Sequence, residues 1–125
     1  MAAKIYLAVV GAAYLLLAVW CAVKPSQTSR SVGFDLLPGS GQSEYLVVYG
    51  GLQLGLGLFF LMPFLEPDSL KHCLLACIMI HVVLVVFRSL SFVLYTGIQT
   101  TTYILAATEW VIALTGVYCY WSMKG

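Results

Sequence analysis

Charge is the property this sequence has least of. Only 9% of its 125 residues are Asp, Glu, Lys or Arg, against about 25% in a soluble domain. A water-facing surface cannot be assembled from that supply. The formal net charge of +1 gives no basic field and no acidic tail, which argues against a nucleic-acid partner. Alternation of apolar and polar residues at period two is missing, which argues against a membrane β-barrel. No serine triad, phosphate-binding glycine loop, aspartyl dyad or zinc-protease helix is present. The glycines between Tyr49 and Gly57 stand inside an apolar run, not between a strand and a helix, so they make no nucleotide fingerprint. The first apolar run is longer than a usual signal-peptide core, and Trp20 before Cys21 is too bulky for a lipoprotein-type site. That run is read as a retained helix.

What the chain does have is apolar length. Residues 62% hydrophobic and a mean hydropathy of +0.97 fall into four segments, at about residues 5–23, 45–65, 70–94 and 101–121. Each reaches the roughly 20 residues needed to span a bilayer, and lipid leaves a spanning backbone no choice but helix. The expectation is one all-α domain over residues 1–125, an integral-membrane, up-down four-helix bundle with residues 24–44 as its extramembrane loop. Pro25, and then Gly39, Ser40 and Gly41, bound that loop. Within it Val32, Phe34, Leu36 and Leu37 form either an interfacial turn or an ordinary loop with a few packed side chains. Pro63, Glu66, Pro67 and Asp68 mark the second connection, with Asp68 or Ser69 suited to cap the next helix. Thr96, Gly97 and Gln99 mark the third, and short connections make consecutive helices antiparallel neighbours. Trp20, Tyr95, Tyr103 and Trp121 fall near helix ends, at headgroup level. Lys4, Lys71 and Lys124 share one side, against Lys24 and Arg30 on the other. The positive-inside rule then puts the chain in the cell inner membrane with both termini cytoplasmic.

Against this apolar background Glu44, Arg88 and Glu109 stand out. A charge inside a spanning helix costs about 2.5–3.5 kcal/mol on insertion scales and persists when partnered or used. Arg88 lies near the end of the third segment and Glu109 near the start of the fourth. At 1.5 Å per residue both sit ~9–12 Å below one membrane surface, so they can meet. Gln53 reaches a similar depth, Tyr49 shares its face four residues away, and Glu44 sits at the mouth. His81, seven residues from Arg88, shares a face with it. Gly51 and Gly55, at small-xxx-small spacing, are read as the close-packing face of the second spanning helix. Two readings follow. Arg88 and Glu109 are a salt bridge that fixes helix register, or they anchor a polar pocket made by Glu44, Tyr49, Gln53, His81, Arg88 and Glu109. Two acids against one arginine favour the pocket.

Cys73, Cys77 and His81 recur every four residues on one face, with Cys119 at a depth close to Cys73. Such a set can hold a soft metal or a redox pair, but cysteine is also a common small apolar residue in buried helices. The second reading is preferred. A lone histidine is likewise a helix-to-helix hydrogen-bonding residue before it is a ligand. No metal site and no cofactor is expected.

Pro25, Glu44, Tyr49-Gly50-Gly51, Gly55-Leu56-Gly57, Arg88-Ser89-Leu90-Ser91, Gly97 and Glu109 together resemble a family of small bacterial four-helix membrane proteins. That family carries a domain of unknown function and is similar in appearance to DoxX-like proteins. The resemblance covers most of the chain and implies the fold and the importance of Glu44, Arg88 and Glu109. It implies no established activity. Family members often carry arginine two residues after the first glutamate; here Leu46 stands there, leaving Glu44 without that cation.

The leading expectation is a non-enzymatic membrane protein, an accessory or assembly subunit. Its polar pocket would bind a small amphiphile such as a lipid or quinone, or a partner's helix, in a membrane complex or homo-oligomer. One rival is an intramembrane enzyme on a lipid, sterol-like or quinone substrate, with Glu109 and His81 as acid and base. The other is a small oligomeric transporter.

Overall fold

A computed structural model describes residues 1–123; Lys124, counted above for orientation, lies outside them. Five helices are present among the described residues: α1 (Ala2–Val23), α2 (Pro25–Ser31), α3 (Ser40–Phe64), α4 (Leu70–Leu94) and α5 (Thr100–Ser122). No strand occurs among these residues. α1, α3, α4 and α5 are each long and apolar enough to cross a bilayer, so the chain is a multi-pass membrane protein with an all-α bundle fold.

The loop at residues 24–44 is more structured than its composition suggests. Lys24 leaves helical geometry ahead of Pro25, as a residue before proline is pressed to do. Pro25 then opens α2, a first-turn position where its missing N–H costs nothing. Gly33 adopts a positive φ of 87° and returns the chain so that Phe34 N–H donates to Ser29 O at 2.9 Å. Gly39, with φ 78°, precedes α3, which begins five residues earlier than expected. At the next connection Ser69 does precede α4, but its hydroxyl donates to Glu66 O at 2.7 Å and makes no cap bond to the helix.

Inside α3, Leu46–Leu52 is wound as π-helix, a rare winding that marks functional segments more often than chance. It also sets which residues face inward. Tyr45, Gly50, Gly57 and Phe60 are buried and Tyr49, Gln53 and Leu56 half-buried, while Gly51 and Gly55 are exposed.

The close-packing glycines are therefore not the expected pair. A Cβ placed on Gly51 or Gly55 would meet nothing within 4 Å. Both glycines line an outward groove of about 770 Å³ with Ala18, Val19, Leu46 and Val47. The crossing of α1 and α3 is made instead by Gly11 and Gly57. A Cβ on Gly57 would stand 3.0 Å from Gly11 O and 2.8 Å from Leu15 Cδ2. A Cβ on Gly11 would stand 3.1 Å from Gly57 O. Gly50 and Gly57 are two helical turns apart and so share the α1-facing side; Gly51 and Gly55 point away from it.

α1 packs against all three other spanning helices, most extensively against α3, while α4 and α5 form the second close pair. α3 and α4 meet chiefly near their connecting turn, so adjacency in sequence holds for them at one end only. The buried core lies at that same end: Ala3, Tyr6, Leu7, Val10, Phe60, Cys73, Leu74, Cys77 and Cys119. Toward the α2 end the π-helical part of α3 packs on α1, with slight packing at most on α4 or α5. The bundle is densely packed at the end of the α3–α4 turn and more sparsely packed toward α2.

The glycine crossing gives a first prediction. Gly57→Ala overpacks the α1–α3 contact and should destabilise by about 1–3 kcal/mol, whereas Gly55→Ala should leave the melting temperature in detergent unchanged or raised. Equal loss in the two variants would refute the crossing.

Candidate functional site

Arg88 and Glu109 meet across α4 and α5 in a two-pronged contact. Arg88 Nε donates to Glu109 Oε2 at 3.1 Å and Nη2 to Oε1 at 2.7 Å. Side-chain exposure is 29% for Arg88 and 13% for Glu109. Bidentate charge-assisted pairs are the strong ones, and here the medium offers no water in exchange. Nη1 takes no protein acceptor among the described residues. The guanidinium is thus fixed on one side and open on the other.

Tyr49 lies within electrostatic range of Arg88 and is held by an aromatic stack. Its ring lies on that of Tyr45, centroids 4.5 Å apart and 16° from parallel. Phe34, from the loop, meets its other neighbourhood edge-on at 6.0 Å. Tyr45 is itself anchored, its hydroxyl donating to Thr28 Oγ1 at 3.0 Å, while Thr28 donates to Lys24 O. Thus α2, which has no apolar span of its own, positions Tyr49 through Tyr45. The Tyr49 hydroxyl has no hydrogen-bond partner among the described residues.

Gln53 follows on the same inward face of α3. Its Oε1 is buried and, among the described residues, is the one buried side-chain nitrogen or oxygen without a partner. Its level can be fixed from the Phe60–His81 contact, where the ring centroids are 6.3 Å apart. Gln53 is seven residues before Phe60 on α3 and Arg88 seven after His81 on α4, so both stand about 10.5 Å above that contact. The acceptor and the open guanidinium share a level and do not bond to each other.

Below them lies a saturated network. His81 is 1% exposed. Its Nδ1 donates to Cys77 O at 2.8 Å, since a carbonyl can only accept. In the neutral ring Nε2 is then the acceptor for the Tyr14 hydroxyl, 3.2 Å away. Tyr6 donates to Ile112 O at 2.8 Å, so at 3.4 Å its oxygen is left to accept from the Cys77 thiol. Gly116 makes room for that phenol: a Cβ there would stand 2.7 Å from the Tyr6 oxygen. Cys73 donates to Phe59 O. The cysteines of α4 thus serve packing and internal hydrogen bonds.

Of the six residues singled out in the sequence, Arg88 and Glu109 are in direct contact, and Tyr49 and Gln53 lie half-buried four residues apart on α3. His81 lies about two turns deeper on α4 than Arg88, buried, with both ring nitrogens occupied. Glu44 is exposed and makes no ion pair. The second acid of the surplus argued from sequence is thus not buried within the bundle. Neither the groove on α1 and α3 nor the surface basin formed by Arg30, Gly33, Phe34, Asp35 and Gln99 is lined by Arg88 or Glu109. Sequence reasoning missed Tyr6, Tyr14 and Tyr45. Tyr14 carried a usable signal, a hydroxyl at mid-depth in an otherwise apolar helix.

The pair makes a direct prediction. Arg88→Leu alone leaves Glu109 uncompensated and should cost about 3–5 kcal/mol. Arg88→Leu with Glu109→Leu should cost clearly less. Thermal denaturation in detergent decides, and equal losses would count against a direct pair.

No curated protein and no solved structure matches the chain. Residues 2–120 match a domain of unknown function, DUF4345. With that match running almost end to end over a four-span helical bundle, the chain belongs to the DUF4345 family.

Proposed function

We propose that the protein is a non-enzymatic membrane protein that binds a small amphiphile in the cleft between α3 and α4, with Arg88 as anchor. The observation that carries this reading is the open Nη1 end of Arg88, standing level with an unpartnered Gln53 Oε1. In hydrocarbon an unmatched donor and acceptor are costly, and a bound head group would relieve both. Glu109 orients the guanidinium, and Tyr49 adds a hydroxyl. The same pair also fixes the α4–α5 register; the two roles are compatible because they use different edges of the guanidinium.

Acid–base catalysis by His81 has less support, since Tyr14 and Cys77 O occupy its two nitrogens. The reading invokes no cofactor. We place the chain in the cell inner membrane with cytoplasmic termini, on the balance of Lys4, Lys71 and Lys124 against Lys24 and Arg30. A partner helix or a second copy is the alternative occupant of the cleft.

Native mass spectrometry of the protein in mild detergent tests this. The wild type should retain an amphiphile-sized adduct that the Arg88→Leu/Glu109→Leu variant loses. A bare wild-type monomer, or equal retention by the folded double variant, would sink the proposal. A retained polypeptide in place of a small adduct would transfer the cleft to a partner helix.

A further inference from the structure

The geometry points to a ligand class: an uncharged amphiphile whose head group carries a hydroxyl, as in a monoacylglycerol or long-chain alcohol. This rests on the reading that the cleft binds an amphiphile, and adds which chemistry it accepts.

Charge decides first. Glu109 already neutralises Arg88 through two bonds, so the site as built has no net charge. A carboxylate or phosphate head would bring an unbalanced negative charge into the apolar half of the bundle, a penalty on the order of a hundredfold in affinity. An arginine in a membrane invites the opposite conclusion, an anion site, but only if its counter-ion is ignored.

Hydrogen-bond polarity decides next. Arg88 Nη1 needs an acceptor and Gln53 Oε1 needs a donor. A hydroxyl is both: its oxygen accepts from the guanidinium while its own O–H donates to the amide oxygen. Tyr49, with its hydroxyl free and its ring clamped by Tyr45, can serve a second oxygen of the same head. An ionised carboxylate or an ester only accepts, so either would leave Gln53 Oε1 orphaned. A fatty-acid methyl ester is therefore the matched control for the missing donor, and the ionised fatty acid for the added charge.

Thermal-shift titrations in mild detergent should use monooleoylglycerol, methyl oleate, and oleate at a pH where it is fully ionised. Monooleoylglycerol should bind at least about tenfold more tightly than methyl oleate, the factor one net hydrogen bond supplies. Oleate should bind more weakly than monooleoylglycerol as well. Gln53→Leu removes a buried acceptor that has no protein partner. It should melt at or above the wild-type temperature and lose the preference for monooleoylglycerol over methyl oleate. Oleate binding as tightly as monooleoylglycerol, or Gln53→Leu keeping the preference, would overturn the inference. So would no shift with any probe. An anionic adduct retained natively would overturn this ligand class while leaving amphiphile binding standing. Absence of both an adduct and probe binding would overturn the two together.

Discussion

The Arg88–Glu109 contact is the interaction on which the rest of the upper bundle depends. Either group alone is costly in a spanning helix; together they join α4 to α5 at one level with two bonds of 3.1 and 2.7 Å. Because Glu109 engages only the Nε and Nη2 edge, the pair closes the register and leaves Nη1 without a protein acceptor among the described residues. A less selective partner would have consumed the whole guanidinium. The proposed binding role and the structural one then need not compete.

The lower half solves the same constraint differently. Tyr14, His81, Cys77 and Tyr6 pass hydrogen bonds from α1 through α4 to the backbone of α5. Here polar groups are matched, and Phe60, Leu7, Leu74 and Cys73 pack around them with almost no exposure. α1 carries both kinds of contact, phenols toward α4 and α5 and the Gly11 crossing toward α3. With the tight half fixed in this way, the other end needs little contact between α3 and α4. That is where Gln53 is left without a partner.

Much of this was legible in the sequence, for identifiable reasons. Span lengths follow from hydrocarbon thickness, and depth-counting along antiparallel helices was enough to pair Arg88 with Glu109. The alignment of Gln53 with Arg88 came from the same arithmetic. Other features depend on tertiary detail that periodicity does not carry. The π winding of Leu46–Leu52 has no marker in a 3.6-residue reading. Gly51 and Gly55 looked like a packing motif by spacing alone, whereas the face is set by Gly50 and Gly57. Glu44 is exposed on the bundle, a burial state that its position in the sequence does not carry. α2 is hidden in the sequence because Pro25 suits the end of one helix and the first turn of the next equally.

Whether anything other than protein joins Arg88 to Gln53 is the central question. An experimental density map of the protein in lipid nanodiscs answers it most directly. Non-protein density bridging Arg88 Nη1 and Gln53 Oε1, continuous with an acyl-like tail between α3 and α4, is the expected result. Gln53 bonded directly to Arg88 with the helices closed around them would contradict it.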